Sequence, residues 1–196
     1  MKARPSDSEE QLIEACARGD GDALGQLFDR HHEAVQRFLS RFAGANRSDL
    51  DDLVQETFLR VAQGASHFGG RSTARSWIFA IASHTAIDHV RAESRRRDMI
   101  RRSAIDLAPV PDRPDHRTEG REALDRFRAA LDSLSDEVRV TYVMCELEDT
   151  RGKDAAAALG VPEGTIWRRL HDARRALKEA MQEGSAARKE ASNDRI

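Results

Sequence analysis

Apolar side chains recur along this chain at three- and four-residue intervals, and the strict alternation of a strand appears nowhere. Residues 1–8 read as disordered. Leu12, Ile13, Ala15 and Cys16 then predict a short helix ending near the Gly19-Asp20-Gly21 turn. Ala23, Leu24, Leu27, Phe28, Val35, Phe38, Leu39 and Phe42 predict a longer one, broken at residues 44–47. Leu50, Leu53, Val54, Phe58 and Val61 form the buried stripe of a third. Ser48 is placed as its N-cap, with acids in the first turn as a helix start prefers. Its other face carries Asp52, Gln55 and Glu56, and nothing local neutralises the two acids. After Gly64 a loop runs to Thr73. A fourth helix follows, apolar at Trp77, Ile78, Ile81, Ala82, Ile87 and Val90 and basic at its far end.

Residues 103–120 change character. Pro109, Pro111 and Pro114 lie among acids with few apolar neighbours, which predicts an extended, mobile linker. Helical periodicity returns with Leu124, Phe127, Leu131 and Leu134, then Val138, Tyr142, Val143 and Leu147. Arg151 to Leu159 reads as a short helix whose four consecutive alanines permit close packing. Gly160 supplies a turn, and Pro162 fits the first position of another helix, with Ile166, Leu170, Ala173 and Leu177 facing inward. A short helix, a glycine turn and a basic second helix are the sequence form of a helix-turn-helix. The predicted fold is all-α: two small helical domains joined by a flexible linker, the second containing the helix-turn-helix. The boundaries are 9–102, linker 103–120, 121–182 and a disordered tail at 183–196.

Charge sharpens this picture locally rather than globally. The 196 residues carry a formal net charge of -2, so no overall excess of cations signals nucleic acid. From Arg91 to Arg102, however, six arginines (91, 95, 96, 97, 101 and 102) face only Glu93 and Asp98. Arg91, Arg95 and Arg102 recur along one side, as rows that bind phosphate do, although cations also simply suit a helix C-terminus. From pattern alone the Asp52/Glu56 face reads as plain solubility. No apolar run reaches membrane-spanning length, no signal-peptide core opens the chain, and Cys16 and Cys145 read as buried reduced thiols. These features predict a cytoplasmic protein without membrane insertion.

The last helix offers the clearest candidate chemistry. Its exposed arc holds Trp167, Arg168, His171, Asp172 and Arg175. Arg168 and His171, near the N-terminal end, are candidates for reading base edges. Arg169, Arg174 and Arg175 are candidates for phosphates. Asp172 either accepts from a cytosine amine or orients a neighbouring arginine. Gly164 has no side chain to keep a phosphate from the amides of Glu163 to Thr165. Trp167 lies off the apolar stripe, and Phe68, in a glycine loop, is ambiguous. Catalytic readings fail. Residues 64–72 lack the lysine, the length and the preceding strand of a phosphate loop, and His84 and His89 are badly spaced for a shared metal. No metal, cofactor or enzyme activity is predicted.

Taken in order, these motifs resemble the extracytoplasmic-function sigma factors, the small two-domain branch of the sigma-70 family of bacterial RNA polymerase, over about residues 20–102 and 119–181. Asp52-Leu53-Val54-Gln55-Glu56-Thr57-Phe58-Leu59-Arg60-Val61 is similar to the family's polymerase-binding helix. Phe68-x-Gly70, Ser76-Trp77-Ile78-Phe79-x-Ile81-Ala82 and Ala86-Ile87-Asp88-His89-Val90-Arg91 are similar to its -10 segment. Leu159-Gly160-Val161-Pro162-Glu163-Gly164-Thr165-Ile166 and Ala173-Arg174-x-x-Leu177 resemble its -35 helix-turn-helix.

The resemblance implies that Asp52, Gln55 and Glu56 dock on the clamp helices of the largest subunit of core RNA polymerase. It implies that Phe68, Gly70, Arg71, Ser72, His84, Asp88, Arg91 and Arg95 serve the -10 element, capturing an unstacked base. Gly164, Thr165, Trp167, Arg168, Arg169, His171, Asp172, Arg174 and Arg175 would serve the -35 element, and the C-terminal domain would also meet the flap of the other large subunit. An anti-sigma factor is the family's usual regulator. Ser83-His84 stands where the family has arginine-asparagine, and Trp167-Arg168 replaces a basic-serine pair, so both promoter preferences are expected to be particular to this chain. The competing class, a helix-turn-helix regulator of duplex DNA without polymerase, leaves the acidic helix and glycine loop unused.

Overall fold

The computed structural model describes residues 7–43, 47–103 and 119–193, and all the regular structure among them is helical. Four helices make the N-terminal half: α1 (Glu9–Ala17), α2 (Gly21–Ala43), α3 (Arg47–Gly64) and α4 (Ala74–Ser103). A 3₁₀ turn, Ala65–His67, follows α3. The C-terminal half holds α5 (Glu119–Ser133), α6 (Asp136–Tyr142), α7 (Gly152–Leu159) and α8 (Glu163–Asn193). One π turn, Val143–Leu147, continues from α6.

Local chemistry accounts for the helix starts. Ser8 Oγ accepts from the Gln11 amide while Gln11 Oε1 accepts from the Ser8 amide, a reciprocal cap on α1. Asp20 Oδ1 accepts from the amides of Asp22 and Ala23 at the start of α2. Thr73 Oγ1 caps α4 by accepting from the Ser76 amide. The start of α3 differs from expectation: the helix begins at Arg47, so Ser48 lies inside it rather than capping it. Serine is tolerated in a first turn, and the acids behind it still suit the positive helix end. Pro162 precedes α8 by one residue and accepts from the Thr165 amide.

The tail expected at 183–196 is also different, because α8 runs to Asn193. Gly184 costs a helix only about 1 kcal/mol, and the Ala186-Ala187-Arg188-Lys189-Glu190 stretch behind it consists of good helix formers. The linker expected at 103–120 lies almost wholly outside the described residues, between Ser103 in α4 and Glu119 in α5.

The stripe Leu50, Leu53, Val54, Phe58 and Val61 is buried as predicted, against Leu27, Val35, Phe38, Leu39 and Phe42 of α2 and Ile78, Phe79 and Ala82 of α4. Phe38 stacks on Phe79 with ring centres 5.1 Å apart. This core does not stop at the N-terminal half. Val140, Val143, Met144, Ala155, Ala156, Ile166 and Leu170 belong to the same buried cluster. Ala155 and Ala156 of α7 carry only methyl groups, so the helix can approach α4 closely. A smaller second cluster, Ala130, Leu131 and Leu177, ties α5 to α8.

Candidate functional site

Three surfaces collect the residues singled out by sequence. The first is the outer face of α3. Asp52, Gln55 and Glu56 are exposed there, beside an apolar groove of about 400 Å³ lined by Leu24, Gly25, Phe28, Gln55, Phe58 and Leu59. Leu59 is 55% exposed, so this wall of the groove is uncovered. Glu56 is not free, contrary to the expectation of two unneutralised acids. Arg60, one turn on, bonds Glu56 Oε1 through Nε and Asp88 Oδ2 through Nη1, both at 2.8 Å. Asp88 first and Glu56 second hold the guanidinium more firmly protonated. The i to i+4 spacing was legible. The reach to Asp88, 28 residues away, was not.

The second surface is the glycine loop. The 3₁₀ turn closes with the Phe68 amide donating to Ala65 C=O, and Gly70 takes a left-handed φ of +63° that a side chain would resist. Phe68 is not a free platform, since its ring tilts against Trp77 with centroids 5.1 Å apart. Phe68, Gly69, Arg71, Ser72 and Trp77 line a cleft of about 230 Å³ whose far wall is Ala157, Ala158, Leu159 and Gly160 of the C-terminal half. His84 stands exposed on α4 and does not line this cleft. It lies seven residues beyond Trp77, about 10 Å along the helix. Arg95 is exposed further along α4, and Arg91 donates to Asp136 Oδ2 at 2.9 Å.

The third surface is α8. Gly160 ends α7 in the left-handed conformation, φ 67° and ψ 31°, and its geometry sets α8 across α7. Ile166, Leu170, Ala173 and Leu177 are buried, which leaves Trp167, Arg168, His171 and Arg175 exposed and Asp172 half-buried. Trp167 finds an explanation: its ring edge lies 3.2 Å from where a Cβ on Gly152 would stand, so it braces α8 against the first turn of α7. Two expected phosphate contacts are already paired. Arg169 Nη2 bonds Glu137 Oε2 and Arg174 Nη2 bonds Glu146 Oε1. Of the amides at the helix start, that of Thr165 is taken by Pro162 C=O, leaving those of Glu163 and Gly164 to meet an anion.

The chain matches the family model for sigma-70 region 2 over residues 27–96 and that for sigma-70 region 4 over residues 124–177. A probable RNA polymerase sigma-C factor from Mycobacterium bovis is 34% identical over 185 residues, covering 90% of this chain and 94% of its own length. The chain belongs to the extracytoplasmic-function sigma factors of the sigma-70 family. Another member, SigE of Mycolicibacterium smegmatis, is 32% identical over 190 residues, covering 93% of this chain and 72% of that protein. Two solved structures share the fold. CnrH in complex with the cytosolic domain of CnrY has a TM-score of 0.64 at 24% identity, covering 90% of this chain and 99% of that one. RpoE in complex with the anti-sigma factor NepR from Bartonella quintana has a TM-score of 0.58 at 23% identity, covering 81% and 96%.

As a sigma factor the chain is a DNA-binding subunit that directs RNA polymerase to promoters and starts transcription there. Burial, and then Glu146, push Cys145 up to about 11, and burial raises Cys16 as well, so neither is a thiolate at neutral pH. Among the described residues no helix is long and apolar enough to cross a membrane.

Sequence reasoning missed the residues where the halves of this sigma factor meet. Arg41 and Arg75 pair there with Glu148, and Arg91 with Asp136. Arg139 is buried, with its guanidinium 4.1 Å from the Phe42 ring centre and bonded to Asp132 and Asp136. Burial marks Arg139 and Glu148, and periodicity cannot supply it; Arg41, Arg75 and Arg91 are exposed and look in sequence like any surface arginine.

Proposed function

We propose that this sigma factor divides promoter recognition between its halves. Residues 9–102 dock core polymerase through α3 and take the -10 strand at the loop 68–73. Residues 121–182 read the -35 duplex with α8, and 103–120 connect the two. The arc of α8 carries the proposal: a basic, solvent-facing strip that begins at a helix N-terminus is what a major groove accepts. Arg168 and His171 read bases, Arg175 holds phosphate, and Asp172 orients a neighbouring arginine. The polymerase surface is supported by an apolar groove lined by Gln55, Phe58 and Leu59, with Asp52 and Glu56 exposed on the same helix, the anatomy of a specific interface. Its partner is the clamp helices of the largest subunit, and the flap of the other large subunit meets the C-terminal half. Base capture at 68–73 draws on Phe68, Gly70, Arg71, Ser72 and the flanking His84, with Asp88, Arg91 and Arg95 along α4. Opening of the duplex is driven by binding energy on the displaced strand.

An anti-sigma factor is a further partner in this reading. It is supported by the fold shared with RpoE, which was solved with one. The protein works in the cytoplasm, where polymerase and chromosome are. The test is to mix the purified chain with core RNA polymerase and a genomic promoter library. Co-elution and promoter-dependent transcripts are expected; binding to duplex DNA without co-elution would instead make it a polymerase-independent regulator.

A further inference from the structure

His84, Asp88, Arg91 and Arg95 of α4 follow one another at steps of four, three and four residues, so they share one face of the helix, and all are exposed. The row runs about 16 Å along the axis at about 1.5 Å per residue. His84, Arg91 and Arg95 can each donate to a nucleic-acid strand. Asp88, in the middle of the row, is the exception. An ionised carboxylate only accepts, and it is repelled by a line of phosphates. Its place there calls for a physical reason.

The neighbouring helix supplies one. Arg60 of α3 reaches across to α4 and donates from Nη1 to Asp88 Oδ2, while its Nε donates to Glu56 Oε1, both at 2.8 Å. The Arg60 side chain is 33% exposed, so it lies along the two helices rather than standing out into water. A guanidinium carries five N–H donors in a rigid fork, and both donors of Nη2 remain outside this pair of bonds. An exposed ion pair adds little to stability, so the bridge is a weak tie between α3 and α4. As a fixture it achieves more. A long side chain already fixed by two acids loses little freedom when it meets a third acceptor.

We propose that Arg60 holds a phosphate of the -10 strand, and that Asp88 is a positioning residue that acts through Arg60 rather than touching a base. The proposal rests on the reading given under Proposed function, because only that reading gives the α4 row to the -10 strand. Asp88 draws the guanidinium from α3 into the gap between His84 and Arg91. The charge of the acid is offset there, and the row gains a donor at its centre. Glu56 holds the other edge of the same fork, so Arg60 stands where the acidic face of α3 meets the strand-facing side of α4.

The experiment uses the full chain assembled with core polymerase. The probes are single-stranded DNA oligonucleotides copied from the non-template strand of promoters that this holoenzyme transcribes. Binding is titrated across salt concentrations and across base changes at each -10 position. On a single strand each phosphate contact contributes about 0.7 to the slope of log K against log salt. Arg60→Ala should shrink that slope by about 0.7 and weaken all -10 sequences alike, by about tenfold. Arg60→Lys keeps the charge and should restore the slope, but not the full affinity, since an ammonium lacks the planar fork. Asp88→Ala should weaken binding in the parent and tighten it in the Arg60→Ala chain, where it removes an unpaired acid from the row. Should Arg60→Ala lower the melting temperature, Arg60→Gln gives the same slope from a side chain that keeps most of the stem. A slope unchanged by both variants overturns the phosphate contact and leaves the bridge a tie between helices. A shift in base preference on Asp88→Ala overturns the positioning role, because Asp88 then reads the base itself. A parent holoenzyme that binds no such strand overturns the -10 reading and this inference together, whereas a parent that binds with the slope of its Arg60 variants overturns this inference alone.

Discussion

Gly160 and Gly164 lie four residues apart around the turn between α7 and α8, and alanine at each is expected to push stability in opposite directions. Gly160 holds a φ of +67°, where a Cβ crowds the following carbonyl at a cost of about 1–2 kcal/mol. No atom lies within 4 Å of the place its Cβ would take, so packing neither relieves nor adds to that strain. Gly164 sits in the first turn of α8 with its Cβ position equally open and no positive φ. There alanine removes freedom from the unfolded chain and should stabilise by about 0.4–1 kcal/mol. For a chain of this size 1 kcal/mol moves Tm by about 2–4 °C. Gly160→Ala should thus lower Tm by about 2–8 °C and Gly164→Ala raise it by about 1–4 °C, read by far-ultraviolet circular dichroism. The stabilised variant should nonetheless bind the -35 duplex more weakly, since its methyl stands between the Glu163 and Gly164 amides and a phosphate. Melting shifts of the same sign would refute the conformational argument. Undiminished DNA binding by Gly164→Ala would show that no phosphate seats on this helix end.

Three further outcomes follow from the surfaces. Asp52→Lys should leave the melting curve within about 0.5 kcal/mol of the parent, as exposed charges do, yet abolish co-elution with core polymerase. Glu56→Lys is a less clean probe because it sets a second cation beside Arg60, and unchanged co-elution of the Asp52 variant removes this face from the interface. Arg168→Ala should cost about 1–3 kcal/mol at one -35 position and relax base choice there, whereas Arg175→Ala should weaken all sequences alike and lower the salt slope by about one unit. Competition binding across -35 variants and salt concentrations decides between those roles. The Glu9 carboxylate is held below the usual 4.5 first by its hydrogen bond with His31, 2.9 Å away. A depressed folded pKa stabilises above the unfolded value and is lost as pH falls through the folded one. Glu9→Gln should therefore be less stable than the parent at neutral pH, with the gap closing below about pH 4.5 in denaturant titrations; a constant gap refutes the pairing.

The α3 stripe and the buried face of α8 were legible because a helix repeats its core contacts every three or four residues. Leu53 and Ile166 announce themselves through neighbours a turn away. The same logic placed the exposed arc of α8. It failed where structure depends on distant partners or an irregular backbone. Nothing near Glu148 foretells Arg41 and Arg75, more than 70 residues away in sequence. The π turn at Val143–Leu147 keeps the helical spacing of apolar residues, so periodicity reads through it. Trp167 looked unexplained because its partner, Gly152, offers a surface with no side chain to signal it. Ala74 and Ala86 are fully buried in α4, yet alanine is too common on either face to mark a core.

The cations that grip Glu148 are encoded in the first half of the chain, and the acid itself in the second. The two halves are therefore not interchangeable modules for building sigma factors with new promoter preferences. A hybrid that grafts residues 119–196 from a relative onto residues 1–118 of this chain inherits Arg41 and Arg75 without a guaranteed acid between them. The reverse hybrid carries a desolvated carboxylate with no guaranteed counter-charge. Compatible parents are those that keep an acid at the end of the π turn and cations at both matching positions on α2 and α4. Tabulating those three positions should sort functional hybrids from failed ones before any is made.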